Sequence, residues 1–360
     1  MVRQKTRTER RAARRLAAPA FRALPAAAFF CIALFCADGL AFEAVRGANE
    51  TLELAPDART AGLGGVLLGL PGEAGASSWH PAGLSEAPGG WFALSHAEHF
   101  LDSRHDALSF VVRPDGRDAL GFSVARFGSD GVPRVGEDEL PEGEEWETFD
   151  VSDWVATGAF ARSWGRWRVG GSLHLLWRRL DQEGFGFQTD VSGGWVGESW
   201  RFEGALRNAS GSGVVWESGW KEIEPPDLFL GAGWRRDIPY IYGELRIAWQ
   251  SVGIFQEEGK SGVERSGSAT DSSGKVDLAG GRAWEEPLEW LGSSSLAVEY
   301  VIAGKAALRA ALPSVESPSE WSAGGGFRWK DFLRFDYAFR HHPELRSVHQ
   351  VTLGINPWGL

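Results

Sequence analysis

Cysteine occurs only twice in this chain, at Cys31 and Cys36, methionine only at position 1, and tyrosine four times. Both cysteines precede residue 41, so a chain cut there carries no thiol, which excludes a disulfide framework and a thiolate metal site. Long apolar runs are missing after the first 41 residues as well. The longest, "GLGGVLLGLPG" at 62–72, falls far short of the roughly 20 residues that a membrane helix needs. Catalytic signatures are also missing: there is no Gly-x-Ser-x-Gly elbow, no Gly-x-Gly-x-x-Gly, no phosphate loop and no His-Glu-x-x-His. An enzyme reading has no constellation to rest on.

What is abundant is glycine, with 47 residues, and large aromatics, with 18 Trp and 21 Phe among 360 positions. That is a strand-and-turn composition. The first 22 residues carry eight basic side chains and lead into "LPAAAFFCIALFCADGLA", where Gly39 and Ala41 are small residues at the third and first places before a cut. The pattern predicts a secretory signal peptide, residues 1–41, cleaved after Ala41. Asp38 ends the apolar run too early for an anchor, and Phe before each cysteine argues against a lipoprotein signal. Cleavage takes the formal net charge from −11 to −17, which makes nucleic acid an unsuitable partner.

Downstream of Trp91 the sequence alternates. "FLRFDYAFR" puts Phe335, Tyr337 and Phe339 on one face and Arg334, Asp336, Ala338 and Arg340 on the other, the period of two that a strand imposes. "SLHLLWR", "LRIAWQ" and "RFEGALR" repeat it. Candidate strands fall near 91–100, 105–113, 118–127, 154–163, 166–180, 186–196, 199–207, 226–236, 240–251, 275–284, 294–302, 305–312, 320–329, 332–340 and 347–356. An outer-membrane barrel takes an even number of strands. One segment is therefore surplus, and 275–284 is the weakest.

Segments of about 9 to 11 residues suffice to cross a bilayer at a tilt. Tight connections at 164–166, 304–305 and 330–331 alternate loosely with long ones at 128–153, 208–226 and 252–293, the arrangement of short turns at one end and long loops at the other. A soluble sandwich also alternates, but girdles of aromatics at two membrane interfaces account for Trp91, Trp154, Trp164, Trp167, Trp195, Trp200, Trp234, Trp290, Trp321 and Trp329 together. The fold class expected is all-β: a transmembrane antiparallel β-barrel of about 14 strands spanning 91–360, in the outer membrane and in contact with its lipid. Charges on the lipid face cost roughly 2–4 kcal/mol near the midplane. Glu203, Arg207, Arg246, Glu299, Arg309, Arg334, Asp336 and Arg340 are therefore expected to face a charged, water-containing lumen.

Between signal and barrel, 42–90 forms an N-terminal plug or hatch segment. Its centre, "ARTAGLGGVLLGLPGEAGASSWHPAGL" from Ala58 to Leu84, lacks alternation and is too rich in glycine to predict a helix. Gly62, Gly64 and Gly65 permit close approach or positive φ. Arg59 can pair with lumen carboxylates, Pro81 sets a turn that His80 enters extended, Gly83 closes "WHPAG", and Trp79 reads as packing.

"ARTAGLGG" followed by "SSWHPAGL" resembles the N-terminal signature of the PorV/PorQ family of outer-membrane β-barrels, where Gly-Ala-Arg leads through Met-Gly-Gly to Trp-Asn-Pro-Ala-Gly-Leu. "PPDLFLGAGWR" (225–235), "LAVEYVIAGKAALRAAL" (296–312) and "SAGGGFRWKDFLRFDYAFR" (322–340) are similar to its later strands. Asp57, Leu63 and His80 depart from the pattern, and Trp358 stands two places before the end, where many such barrels have a terminal aromatic. The resemblance implies a role in type IX protein secretion, as a cargo shuttle or a component of the attachment complex. Its partners would be the C-terminal domains of secreted cargo and other secretion components. The alternative is a FadL-like channel for hydrophobic small molecules, which requires an apolar pocket beside the plug.

No cofactor or metal is expected. His96 and His99 lie three apart in one expected strand, on opposite faces, and His341–His342 adjoin in a turn before Pro343. The loop "GEDELPEGEEWETFD" (136–150) concentrates carboxylates without calcium-loop spacing. It reads as an acidic surface loop.

Overall fold

The computed structural model describes residues 50–100, 102–134, 147–211, 213–223, 226–254, 287–344 and 347–359. Among these described residues sixteen strands follow one another: β1 (Phe92–Glu98), β2 (Arg104–Val112), β3 (Asp118–Pro133), β4 (Thr148–Trp164), β5 (Trp167–Arg179), β6 (Glu183–Val196), β7 (Trp200–Arg207), β8 (Gly213–Trp216), β9 (Lys221–Ile223), β10 (Asp227–Ile238), β11 (Gly243–Gln250), β12 (Ser295–Ile302), β13 (Ala306–Leu312), β14 (Trp321–Trp329), β15 (Leu333–His341) and β16 (Val348–Ile355). Fourteen of them close into an antiparallel barrel, with β1 hydrogen-bonded to β16 and β7 to β10. Closure leaves no sheet edge in the wall, the condition for crossing lipid with strands.

The alternation of the sequence becomes outside and inside. Along β5, Trp167, Val169, Leu175 and Trp177 are exposed, while Ser172, His174 and Leu176 are buried. Trp164 pairs with Trp167 at one end of the β4–β5 hairpin and Trp154 with Trp177 at the other, ten residues apart along each strand. At the tilt typical of barrels this is about 25 Å, the height of a lipid-facing band.

Tight turns gather at the end where β1 starts. The β12–β13 turn has Ala303 and Gly304 at φ of 50° and 67°, the two left-handed positions of a type I′ hairpin. The opposite end carries the longer connections, and there β8 pairs with the far end of β6 while β9 pairs with β8.

Residues 50–90 run inside this wall. Asp57 accepts the Thr60 N–H at 2.8 Å and caps a short α-helix, α1 (Ala58–Gly62). Two 3₁₀ turns follow at Ala74–Ser78 and Pro81–Ser85. The apolar core is the seam between plug and wall. Leu63, Val66 and Leu70 pack on Ala248, Ala297 and Ala311, and Ala74, Ala76, Leu84 and Ala87 pack on Val111, Ala119, Ala159 and Ala161. In the first of these the wall contributes alanines and the plug large aliphatic side chains, so the two interdigitate.

Several sequence expectations change here. Segment 275–284 and the signal peptide lie outside the described residues, as does most of the acidic loop. Strands β8 and β9, of four and three residues, fall in what the sequence reads as loop, because they are too short to show a period. A helix does form in the glycine-rich segment, since Asp57 caps it and the wall surrounds it. His99 lies beyond the end of β1, and His341 is the last residue of β15. Trp91 does not join a girdle: it is 8% exposed, turned inward under the Arg328 guanidinium. Among the described residues the lumen is charged but is not a water-filled pore, because the plug occupies it. A cavity of about 30 Å³ lined by Asp57, Glu73, Trp91, Arg328 and Arg334 lies there, room for one or two waters.

Candidate functional site

The site is the interface of plug and wall, and its chemistry is ionic. Arg59 projects from α1 and donates to both oxygens of Glu299 on β12, at 2.9 and 3.0 Å. Glu299 also accepts from Arg309 of β13 at 2.9 Å and from Arg246 of β11 at 2.8 Å. Arg309 bridges to Asp336 of β15 at 2.7 Å, and Asp336 lies 2.5 Å from Arg334. Arg334 then pairs with Glu73 of the plug, whose other oxygen is 3.5 Å from Arg59. Three guanidiniums and three carboxylates thus alternate around a closed ring, two of whose members, Arg59 and Glu73, belong to the plug. Each buried charge meets two of opposite sign, which offsets the cost of burying it.

Glu73 lies outside the wall strands. Burial by itself would raise its pKa, but Arg334, Arg59 and Arg309 outweigh that and hold it below the ordinary carboxylate range.

A second group forms around the turn "WHPAG". His80, fully buried, has Nε2 3.3 Å from Glu203 Oε1 on β7, off the direction of a hydrogen bond. The other oxygen of Glu203 accepts the Gly69 N–H at 2.7 Å. Arg201 pairs with Glu86 of the plug at 2.9 Å. Trp79 stands edge-on to Phe229 of β10, 5.0 Å between centroids, with the Arg207 guanidinium 4.7 Å over its ring. Leu67, Leu68 and Ala205 complete that apolar cluster. Arg207 continues to Glu53 at 2.5 Å, pinning the start of the plug.

Glycine matters where the backbones approach. Gly64 and Gly65 take φ of +66° and +85°, and a Cβ on Gly62 would stand 3.1 Å from Gly324 Cα in the wall. Gly83 lies under the His80 ring. Pro81 opens the second 3₁₀ turn, with His80 at φ −135° before it. Backbone N–H groups of the plug find wall side chains: Leu67 and Leu68 donate to Gln250, Ala58 to Thr352 and Ala82 to Ser192.

Glu203, Arg207, Arg246, Glu299, Arg309, Arg334 and Asp336 therefore all reach the plug or the ring that holds it. Arg340 faces inward near the rim and is exposed. Sequence reasoning missed the buried set His174, Asp190, Thr157 and Ser172. Thr157 lies 2.9 Å from His174 Nδ1, while Ser172 and Asp190 share Nε2 at 3.0 and 3.2 Å. Two groups on one ring nitrogen, all buried in the wall, make a structural network and not a nucleophile relay. The inward period of β4–β6 was the available signal. Among the described residues no cluster of three or more His, Cys, Asp or Glu is placed to hold a metal ion.

No protein-family model and no curated protein matches the chain. Solved structures do. The Pseudomonas putida toluene transporter TodX aligns over 85% of this chain and 99% of its own at 12% identity, with a TM-score of 0.51. A second TodX structure covers 88% and 98% at 12% identity, with a TM-score of 0.50. A Pseudomonas aeruginosa FadL homologue covers 83% and 98% at 9% identity, with a TM-score of 0.45. At such identities the likeness speaks for the fold, and the chain is a 14-stranded β-barrel of the outer-membrane type, with its own N-terminal segment folded inside.

Proposed function

We propose that this barrel lets small hydrophobic molecules cross the outer membrane, with the plug as its gate. The observation that carries this reading is the apolar cluster of Leu67, Leu68, Trp79 and Phe229 between plug and wall. In this reading the cluster marks the place a solute takes, occupied here by the plug's own packed side chains. A solute takes their place when the plug shifts against the ring of ion pairs. The shared fold with TodX, named as a toluene transporter, supports the same class of cargo. The chain reaches the outer membrane by export and cleavage after Ala41. The test is uptake of a labelled monoaromatic hydrocarbon by outer-membrane-bearing cells that lack such a channel. Expression of the full chain raises the initial rate several-fold; an unchanged rate with the barrel correctly assembled overturns the reading.

A second reading rests on the resemblance to the PorV/PorQ signature, with the long loops receiving secreted cargo or attachment partners. The sealed lumen favours it, since a docking barrel needs no pore. Affinity capture from gently solubilised outer membrane separates the two: secreted proteins sharing a C-terminal domain support docking, and a barrel carrying an apolar small molecule supports transport.

A further inference from the structure

The plug has a direction inside the barrel. Strand β7 runs from Trp200, at the end of the tight turns, to Arg207 at the end of the long connections, and β16 runs the other way, from Val348 to Ile355. At the tight-turn end Arg201 holds Glu86 at 2.9 Å, and the Gly90 N–H donates to the Val111 carbonyl at 2.7 Å. Toward the N-terminus the contacts climb. The Ala58 N–H donates to Thr352, and the Ala55 carbonyl accepts from Gln350, two residues nearer the long connections. The turn Glu50–Glu53 then reaches the far end. There the Thr51 hydroxyl donates to Asp153 at 2.8 Å, Leu52 packs on Val155 and Leu176, and Glu53 pairs with Arg207 at 2.5 Å. Asp153 and Val155 flank Trp154, and Leu176 precedes Trp177, the aromatic level of that end.

Outer-membrane barrels keep their tight turns in the periplasm and their long loops outside the cell, so Trp154 and Trp177 mark the outer level. We propose that the plug enters the lumen from the cell-exterior mouth, that Glu50–Glu53 is a strap tied to the outer ends of β4, β5 and β7, and that the Glu53–Arg207 pair is its latch. The latch differs from the plug's other anchoring carboxylates in being open to solvent. The Glu53 side chain is 59% exposed, against 24% for Glu73 and 19% for Glu86. Leu52, by contrast, is covered, at 5%. A molecule arriving from outside the cell therefore meets the Glu53 end of the plug first, whether the barrel transports a solute or docks a protein.

The experiment labels single cysteines of the full chain in intact cells, with a maleimide carried on a polymer too large to cross the outer membrane. Wild type, whose only cysteines are Cys31 and Cys36, is the blank. Glu53→Cys labels from outside. Lys305→Cys, exposed in the tight β12–β13 turn, labels only after the outer membrane is permeabilised. Leu52→Cys labels slowly in intact cells, and adding Glu53→Gln speeds it about tenfold, the effect of losing a charged hydrogen bond on local opening. Heat-modifiable gel migration shows that each barrel is folded, and Leu54→Cys, half-buried one residue on, stands in if Glu53→Cys fails to assemble. Labelling at 53 or 54 only after permeabilisation, or not at all, overturns the direction of entry, as does labelling of Lys305→Cys from outside. A Leu52→Cys rate indifferent to Glu53→Gln overturns the latch.

Discussion

At the residue scale, the plug is held by charges that the wall has already paired. Glu73 joins Arg334 to Arg59, and its pKa is depressed by both. Its contribution to stability is therefore fully present above the ordinary carboxylate value of 4.5 and is lost as pH falls through the lower folded value. Glu73→Gln removes it at every pH. We expect a loss of about 2 kcal/mol at pH 7 and a flatter acid profile, read from unfolding midpoints in detergent between pH 7 and pH 3. Trp79 is 6% exposed and packs in the apolar cluster with Leu67, Leu68 and Phe229. Trp79→Ala should cost about 3–5 kcal/mol in stability and, with the solute path running through this cluster as proposed, should raise hydrocarbon uptake. A stable variant with unchanged uptake would place the path elsewhere.

At the element scale, the strands carry two different faces. Leu173 points outward on β5, midway between Trp167 and Trp177, whereas its neighbour Ser172 is buried against the interior. Leu173→Arg should lower stability by roughly 2–4 kcal/mol, the cost of a cation near the midplane. The measurement is folding equilibrium in lipid vesicles, with Arg179→Lys at an exposed position of the same strand as an indifferent control. The strands themselves were legible because a two-faced wall between lipid and a polar interior writes a period of two into each segment. The hairpin β8–β9 was not, being too brief for any period. Trp91 misled for a related reason: an aromatic near a strand end reads as girdle, and only its contact with Arg328 shows it turned inward.

At the scale of the whole molecule, the interior is closed by a segment of the same chain. Deleting residues 50–90 should convert a silent barrel into one with steady ion conductance in planar bilayers. The full chain should show none at moderate voltage, because the ring of ion pairs and the leucine and alanine seam act together. A silent deletion variant that is folded would mean that loops, not the plug, close the barrel. N-terminal sequencing of the membrane-extracted protein should begin at Phe42, the cut expected from the small residues Gly39 and Ala41.

The sequence by itself determined the class of fold: alternation, aromatic strand ends and glycine turns are local consequences of a wall with lipid on one side, and each is visible within about ten residues. It also marked out the inward charges, because lipid excludes them. Which inward charge meets which, the tertiary structure alone decided. Arg59 and Glu299 are 240 residues apart, and their pairing depends on barrel register and on how deep the plug sits. The filling of the lumen was decided in the same way. A row of charges facing inward is compatible with water or with a plug, and only the fit of Leu63, Val66 and Leu70 against wall alanines selects the plug.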